Sequence, residues 1–167
     1  MSITDELLQA AERYGATFDK GGLQMPPSRK VAIVACMDAR LNPYGLFGLT
    51  EGDAHVIRNA GGAVTDDTIR SLAISERLLG TEEILLVHHT DCGMLTFADD
   101  DFRRSVQAET GIRPPWAAEA FDDPEEDVRQ SIARVRQSPF LPHRDSVRGF
   151  VYDVATGALH EVSLSRG

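Results

Sequence analysis

A chain of 167 residues, 42% hydrophobic and 26% charged, can bury one full core and has the composition of a globular protein. Its formal net charge of −9 at pH 7 argues against a protein that works by neutralising phosphates, whether on nucleic acid or on an anionic membrane surface. No run approaches the ~20 consecutive apolar residues of a membrane span, and the acidic start M-S-I-T-D-E-L-L lacks a secretory pattern. The reading is a cytoplasmic protein whose two cysteines are free thiols or metal ligands rather than a disulfide.

Residues 3–14 predict a short helix with Leu7 and Leu8 on its apolar side. Residues 15–29, with Gly15, Gly21, Gly22, Pro26 and Pro27, predict an irregular arm. A helix on so long an arm need not fold back on its own body and is free to pack on a neighbouring subunit. The run K-V-A-I-V-A-C at 30–36 predicts a strand, as do 53–58 and 82–88; such runs suit parallel strands buried on both faces. Between the last two, residues 66–79 predict a helix with Ile69, Leu72, Ala73 and Leu79 on one face. Thr65 suits its N-cap, and Asp66 and Asp67 suit its dipole.

Residues 99–109 predict a polar helix and residues 124–137 a stronger one. In the second, Asp123 and Glu126 have capping-box spacing, Pro124 takes the first helical position, and Val128, Ile132 and Val135 line one face. Residues 147–154 and 158–164 flank A-T-G and predict a terminal hairpin. The alternation of strands and helices predicts one α/β domain over residues 1–167, with residues 1–29 as N-terminal helix and arm. Its sheet is mostly parallel, and ligands of such sheets bind beyond the carboxyl ends of the strands.

Chemistry concentrates at two of those ends. The first strand ends at Cys36, followed by Asp38 and Arg40, and the third runs into H-H-T-D-C-G at 88–93. If these strands are neighbours, Cys36, His89 and Cys92 meet. Two thiolates and an imidazole suit zinc, and three protein ligands leave one tetrahedral position open. The same residues also read as ordinary core, because cysteine is among the most buried residue types and H-x-x-C alone is a weak signal. In an extended chain Cys36, Asp38 and Arg40 share a side. The Asp38–Arg40 pair reads as a surface salt bridge or, beside a metal, as a bidentate pair that holds the carboxylate off the ion and keeps it ionised.

Other residues carry two readings each. His88 points away from His89 in a regular strand, as core or as support for the ligands. Gly61 and Gly62 suit a close approach of backbones or an ordinary turn. Asp91 suits a hydrogen bond behind the ligands or a helix cap. His55, His143 and His160 suit proton relay or plain solvation, and Trp116 suits a packing anchor.

C-M-D-A-R at 36–40 followed by H-T-D-C-G at 89–93 resembles the paired signature of the β-class carbonic anhydrases, C-x-D-x-R and H-x-x-C-G. R-N-A-G-G at 58–62 is similar to that family's R-N-A-G segment, and the likeness runs from M-P-P-S at 25–28 to R-G-F-V-Y-D-V at 148–154. It most resembles the short members known from mycobacteria and archaea. The resemblance implies that Cys36, His89 and Cys92 bind one zinc per chain, and that Asp38 and Arg40 form the dyad beside it. It implies a parallel sheet of order 2-1-3-4 with a last antiparallel strand, flanked by helices. It further implies a homodimer or homotetramer with the N-terminal helix packed on a partner subunit. The implied activity is reversible hydration of carbon dioxide to bicarbonate and a proton by zinc-bound hydroxide, with no nucleic-acid or membrane partner. Carbonyl sulfide and carbon disulfide hydrolases share fold and ligands and form the alternative. A non-catalytic zinc or thiol module is a further one and would need the fourth position permanently filled.

Overall fold

The apolar runs rich in valine and isoleucine form the middle of a single five-stranded sheet in the computed structural model, which describes residues 2–164. Met1 and residues 165–167, the ends of the expected 1–167 span, lie outside the described residues. The strands are β1 Val31–Cys36, β2 Ala54–Asn59, β3 Glu83–His89, β4 Val147–Tyr152 and β5 Leu159–Glu161, in the order β2-β1-β3-β4-β5. The first four are parallel and β5 pairs antiparallel with β4, the expected topology.

Among the described residues five α-helices accompany the sheet: α1 Ile3–Ala16, α2 Pro43–Phe47, α3 Asp66–Leu79, α4 Asp99–Thr110 and α5 Pro124–Gln137. Local chemistry sets their ends. The Thr65 hydroxyl accepts from the Thr68 amide to start α3, and Gly80, at φ 75°, ends it in the left-handed conformation. The Asp123 carboxylate accepts from the Glu125 and Glu126 amides to start α5. Helix α2 lies outside the sequence expectation, since five residues are too few to show a helical period. Its signals are the Asn42 cap, Pro43 at the first turn and Gly48 at φ 59°. The hairpin strands are shorter than expected. The Asp153 carboxylate accepts from the amides of Ala155 and Thr156, which starts the turn at once after Tyr152.

Alternation along β1 and β3 divides the core. Ala32, Val34, Ile84 and Leu86 face Leu72 of α3 and Val128, Ile132 and Val135 of α5. Ile33, Ala35 and Val87 face the other way, toward Leu41, Leu49, Met94 and Phe121. Burial on both faces accounts for the unbroken apolar runs, and each fully buried leucine or isoleucine contributes about 1.5–3 kcal/mol. Helix α1 is different: it buries none of its residues, and Leu7 and Leu8 are 64% and 59% exposed. The Tyr14 hydroxyl donates to Glu51, and the Lys20 ammonium pairs with the same carboxylate.

The turn after β2 presses between the ends of β1 and β3. Gly62 has φ +67°, and a Cβ built there would stand 2.9 Å from the Cys36 amide nitrogen and 3.1 Å from the Val87 carbonyl oxygen. Both neighbours are backbone and cannot yield, so the close approach anticipated at Gly61–Gly62 is realised at Gly62. Gly62→Ala is expected to lower stability by about 2 kcal/mol or more, read as a lower urea midpoint at unchanged m.

Candidate metal centre

Because β1 and β3 are hydrogen-bonded neighbours, Cys36 and His89 end on the same rim of the sheet. The chain then turns through Thr90, whose amide donates to the Tyr152 carbonyl, and through Asp91 at φ +52°, which brings Cys92 back over the rim. Cys36, His89 and Cys92 are all buried, and their donor atoms lie within 4.8 Å of one another. The two sulfurs are 3.9 Å apart. Thiolates about 2.3 Å from one tetrahedral zinc stand roughly 3.8 Å apart, so the spacing fits the ion.

His89 supplies the second test of fit. Its Nδ1–H donates to the Thr90 carbonyl at 2.8 Å, while its Nε2 is buried with no hydrogen-bond partner. A buried lone pair without a donor is costly, and a cation between it and the two sulfurs removes that cost. His88 lies on the opposite face. Its Nε2 meets Asp127 of α5 at 2.6 Å and its ring stacks on Phe121, so it supports the strand and is not one of the cluster.

Asp38 and Arg40 meet beside the cluster. The Arg40 Nε and Nη2 donate to the two Asp38 oxygens at 3.0 and 2.8 Å, and the Arg40 amide donates to Oδ1 at 2.8 Å. Asp38 Oδ2 lies 3.7 Å from His89 Nε2. Arg40 also reaches across to Asp91: Nη1 donates to its carboxylate at 2.7 Å and Nη2 to its carbonyl at 2.9 Å. Asp91 takes neither of its two expected roles: its acceptors engage Arg40 rather than a member of the cluster, and its side chain caps no helix. Arg58, at the end of β2, is a residue that sequence reasoning did not single out. Its guanidinium donates to the carbonyls of Cys36, Asp38 and Leu41, holding the segment that carries the thiol and the carboxylate. Asn59 braces the glycine turn, accepting from the Ala63 amide and donating to the Ala63 carbonyl. The only signal for either was the R-N-A-G-G segment itself.

The charges are organised before any metal arrives. The Arg40 side chain and amide hold the Asp38 carboxyl far below the usual carboxylate range, and Asp38 and Asp91 together raise the guanidinium further. The two sulfurs share a hydrogen bond, which lowers the Cys36 thiol despite burial and raises that of Cys92. One proton is thus already easy to remove from the pair, in the direction metal binding requires.

The remaining candidates lie elsewhere. His55 pairs with Ala32 in the sheet, four residues before Cys36, and its Nδ1 contacts the Ser75 hydroxyl at 2.7 Å. The His143 amide donates to Glu76, and His160 lies on β5 with its side chain exposed. Trp116, read as a packing anchor, is half exposed. It leans on Phe102 and, with Met94 and Phe97, lines an apolar cavity of about 650 Å³.

Comparison with known proteins agrees with this geometry. The profile of the family described as carbonic anhydrase matches residues 31–123. The chain is 62% identical over 163 residues to beta-carbonic anhydrase 1 of Mycobacterium tuberculosis (strain H37Rv), covering 98% of this chain and 99% of that one. It is 31% identical to a carbon disulfide hydrolase of Acidianus sp. (strain A1-3), covering 94% and 87%. The crystal structure of carbonic anhydrase from Streptococcus mutans superimposes with a TM-score of 0.91 at 43% identity, covering 98% and 99%. With a family match across the site-bearing strands β1–β3 and 62% identity over nearly the full length of both chains, the chain belongs to the β-carbonic anhydrase family.

Proposed function

We propose that the protein is a zinc-dependent carbonic anhydrase that reversibly hydrates carbon dioxide to bicarbonate and a proton. Cys36, His89 and Cys92 hold one zinc per chain, and Asp38 and Arg40 serve the reaction beside it. The observation that carries this reading is the buried, unpartnered His89 Nε2, set against two thiols and beside an ionised carboxylate. Bound zinc would lower the pKa of a coordinated water from about 15.7 toward 7, and less far with two thiolate ligands than with three imidazoles. Asp38 accepts a hydrogen bond from the attacking water and so turns its lone pair toward the carbon. Arg40 keeps Asp38 ionised and occupies both its oxygens, so the carboxylate is held from filling the open ligand position itself. A non-catalytic zinc module would need that position filled, and Asp38, the carboxylate nearest His89 Nε2, is tied to Arg40 instead.

The exposed apolar side of α1 supports a homo-oligomer, a dimer or tetramer, in which α1 packs on a second copy. No helix among the described residues is long and apolar enough to cross a membrane, and the acidic chain is read as working in the cytoplasm.

Elemental analysis of protein purified without added metal should give about one zinc per chain. Stopped-flow hydration of carbon dioxide should be faster in kcat/KM than hydrolysis of carbonyl sulfide by the same preparation. A reversed ratio would make the protein a hydrolase of that gas. Because Asp38 stays ionised throughout, kcat/KM should rise with pH between about 6 and 9 without an acid limb from this carboxylate.

Arg40→Ala should keep its zinc, since no ligand is touched, and lose activity on the order of 10–100-fold, the usual range for a residue supporting a metal site. Full activity in that variant would remove Arg40 from the mechanism.

Deleting residues 1–29 should lower the number of subunits per particle, read as the light-scattering mass divided by the chain mass. An unchanged subunit number would mean that α1 is not part of the interface.

A further inference from the structure

Asp38 and Arg40 are two residues apart on the same short segment after β1. A bond between them fixes each relative to the other. It does not fix the pair relative to His89 and Cys92, which belong to a different strand. Arg58 anchors the main chain of that segment from β2, but it touches neither side chain of the dyad. Among the described residues, apart from the 3.7 Å approach of Asp38 to His89, the dyad's side chains reach the β3 turn through one residue, Asp91.

Asp91 is built for this contact. It sits between His89 and Cys92 in the left-handed conformation, at φ +52°, which an aspartate tolerates better than most residues. That conformation lets its carboxylate and its own carbonyl both accept from one guanidinium, through Nη1 and Nη2. The ion pair is exposed on both sides, so its contribution to stability is small. Its effect is on position: the turn that spaces two metal ligands also sets where Arg40 stands, and Arg40 sets where Asp38 stands.

The geometry points to Asp91 as a further positioning residue, resting on the functional reading above: acting through Arg40, it holds the Asp38 carboxylate in register with the ligand cluster. Asp91 touches neither substrate nor ligand atoms. Its loss leaves the Asp38–Arg40 pair intact as a unit but free to swing about its own segment, toward or away from the cluster.

The test uses full-length, zinc-loaded protein and the variants D91G and D91N, each alone and in the R40A background. D91G removes the carboxylate and suits the backbone angle; D91N keeps both the angle and an oxygen acceptor. D91G should lose about tenfold in kcat with little change in KM and no loss of zinc, the size of coupling that contacting side chains show. D91N should recover most of that loss. In the R40A background neither substitution should have a further effect. Crystal structures of D91G and the unaltered protein should differ in the position of the Asp38 carboxylate relative to His89 and Cys92.

Wild-type kcat in D91G, an undisplaced Asp38, or a loss that persists in full without Arg40 would each overturn the assignment. If D91G does not fold, D91K carries the same cycle. A lysine is accommodated at φ 52° at position 30 of this chain, and its charge repels Arg40. It must then lower kcat in the native background and not in R40A. If the unaltered protein proves inactive toward carbon dioxide, the functional reading fails, while the crystallographic comparison still decides for or against Asp91.

Discussion

The parallel pairing of β1 with β3 is the constraint on which the rest of the molecule depends. Strands 47 residues apart in the sequence, Cys36 to Glu83, are placed side by side, so that two carboxyl ends become one rim. Nothing in the local chain around Cys36 could make a ligand site alone. The pairing is sustained by burial on both faces, α3 and α5 on one and the Leu41–Phe121 cluster on the other, and it admits no register slip. A shift by one residue would exchange His88 for His89, turning the ligand toward α5 and the Asp127 partner toward the cluster.

A second layer of contacts converts this rim into a centre with a defined charge. The thiols lie in the core, the carboxylate at its edge, and the guanidinium half in solvent. That gradient suits the chemistry. Soft donors in a dry setting suit a tightly held ion, while Asp38 at the boundary is open to a small molecule. The polar braces come from outside β1: Arg58 and Asn59 from β2, and the Thr90–Asp91 turn from β3. The edge strand β2 and its neighbours β1 and β3 therefore all contribute to one site, and loss of pairing at either junction would be felt there first.

Much of this was legible in the residues. Strands buried on both faces announce themselves as unbroken Val/Ile runs, and α3 and α5 carry caps that match their observed ends. The Cys36–His89–Cys92 cluster could be read because its members sit where apolar runs stop, a position with little else to explain a thiol or an imidazole. Other features were not legible, for physical reasons. Helix α2 is shorter than the period that would reveal it. Arg58 in a strand looks like any surface cation, and only the fold shows that three carbonyls converge on it. Asp91 carried two readings, a bond behind the ligands or a helix cap, and takes neither, because its partner Arg40 is brought to it only by the fold and the sign of φ cannot be read from its identity. Trp116 was read as a packing anchor, and it does lean on Phe102, but its half-open place over an apolar hollow has no local signal.

The bond from His89 Nδ1 to the Thr90 carbonyl has a consequence for how this centre tolerates sequence change. Where a ligand imidazole is oriented by a remote carboxylate, one substitution at that carboxylate frees the ring and scrambles its tautomer. Here the acceptor is the main chain of the next residue, present whatever side chain stands at position 90. The choice of which nitrogen faces the sulfurs is thus written into the path of the backbone. It can drift only if the turn itself is redrawn, so the orientation of this imidazole is insulated from side-chain substitution at position 90.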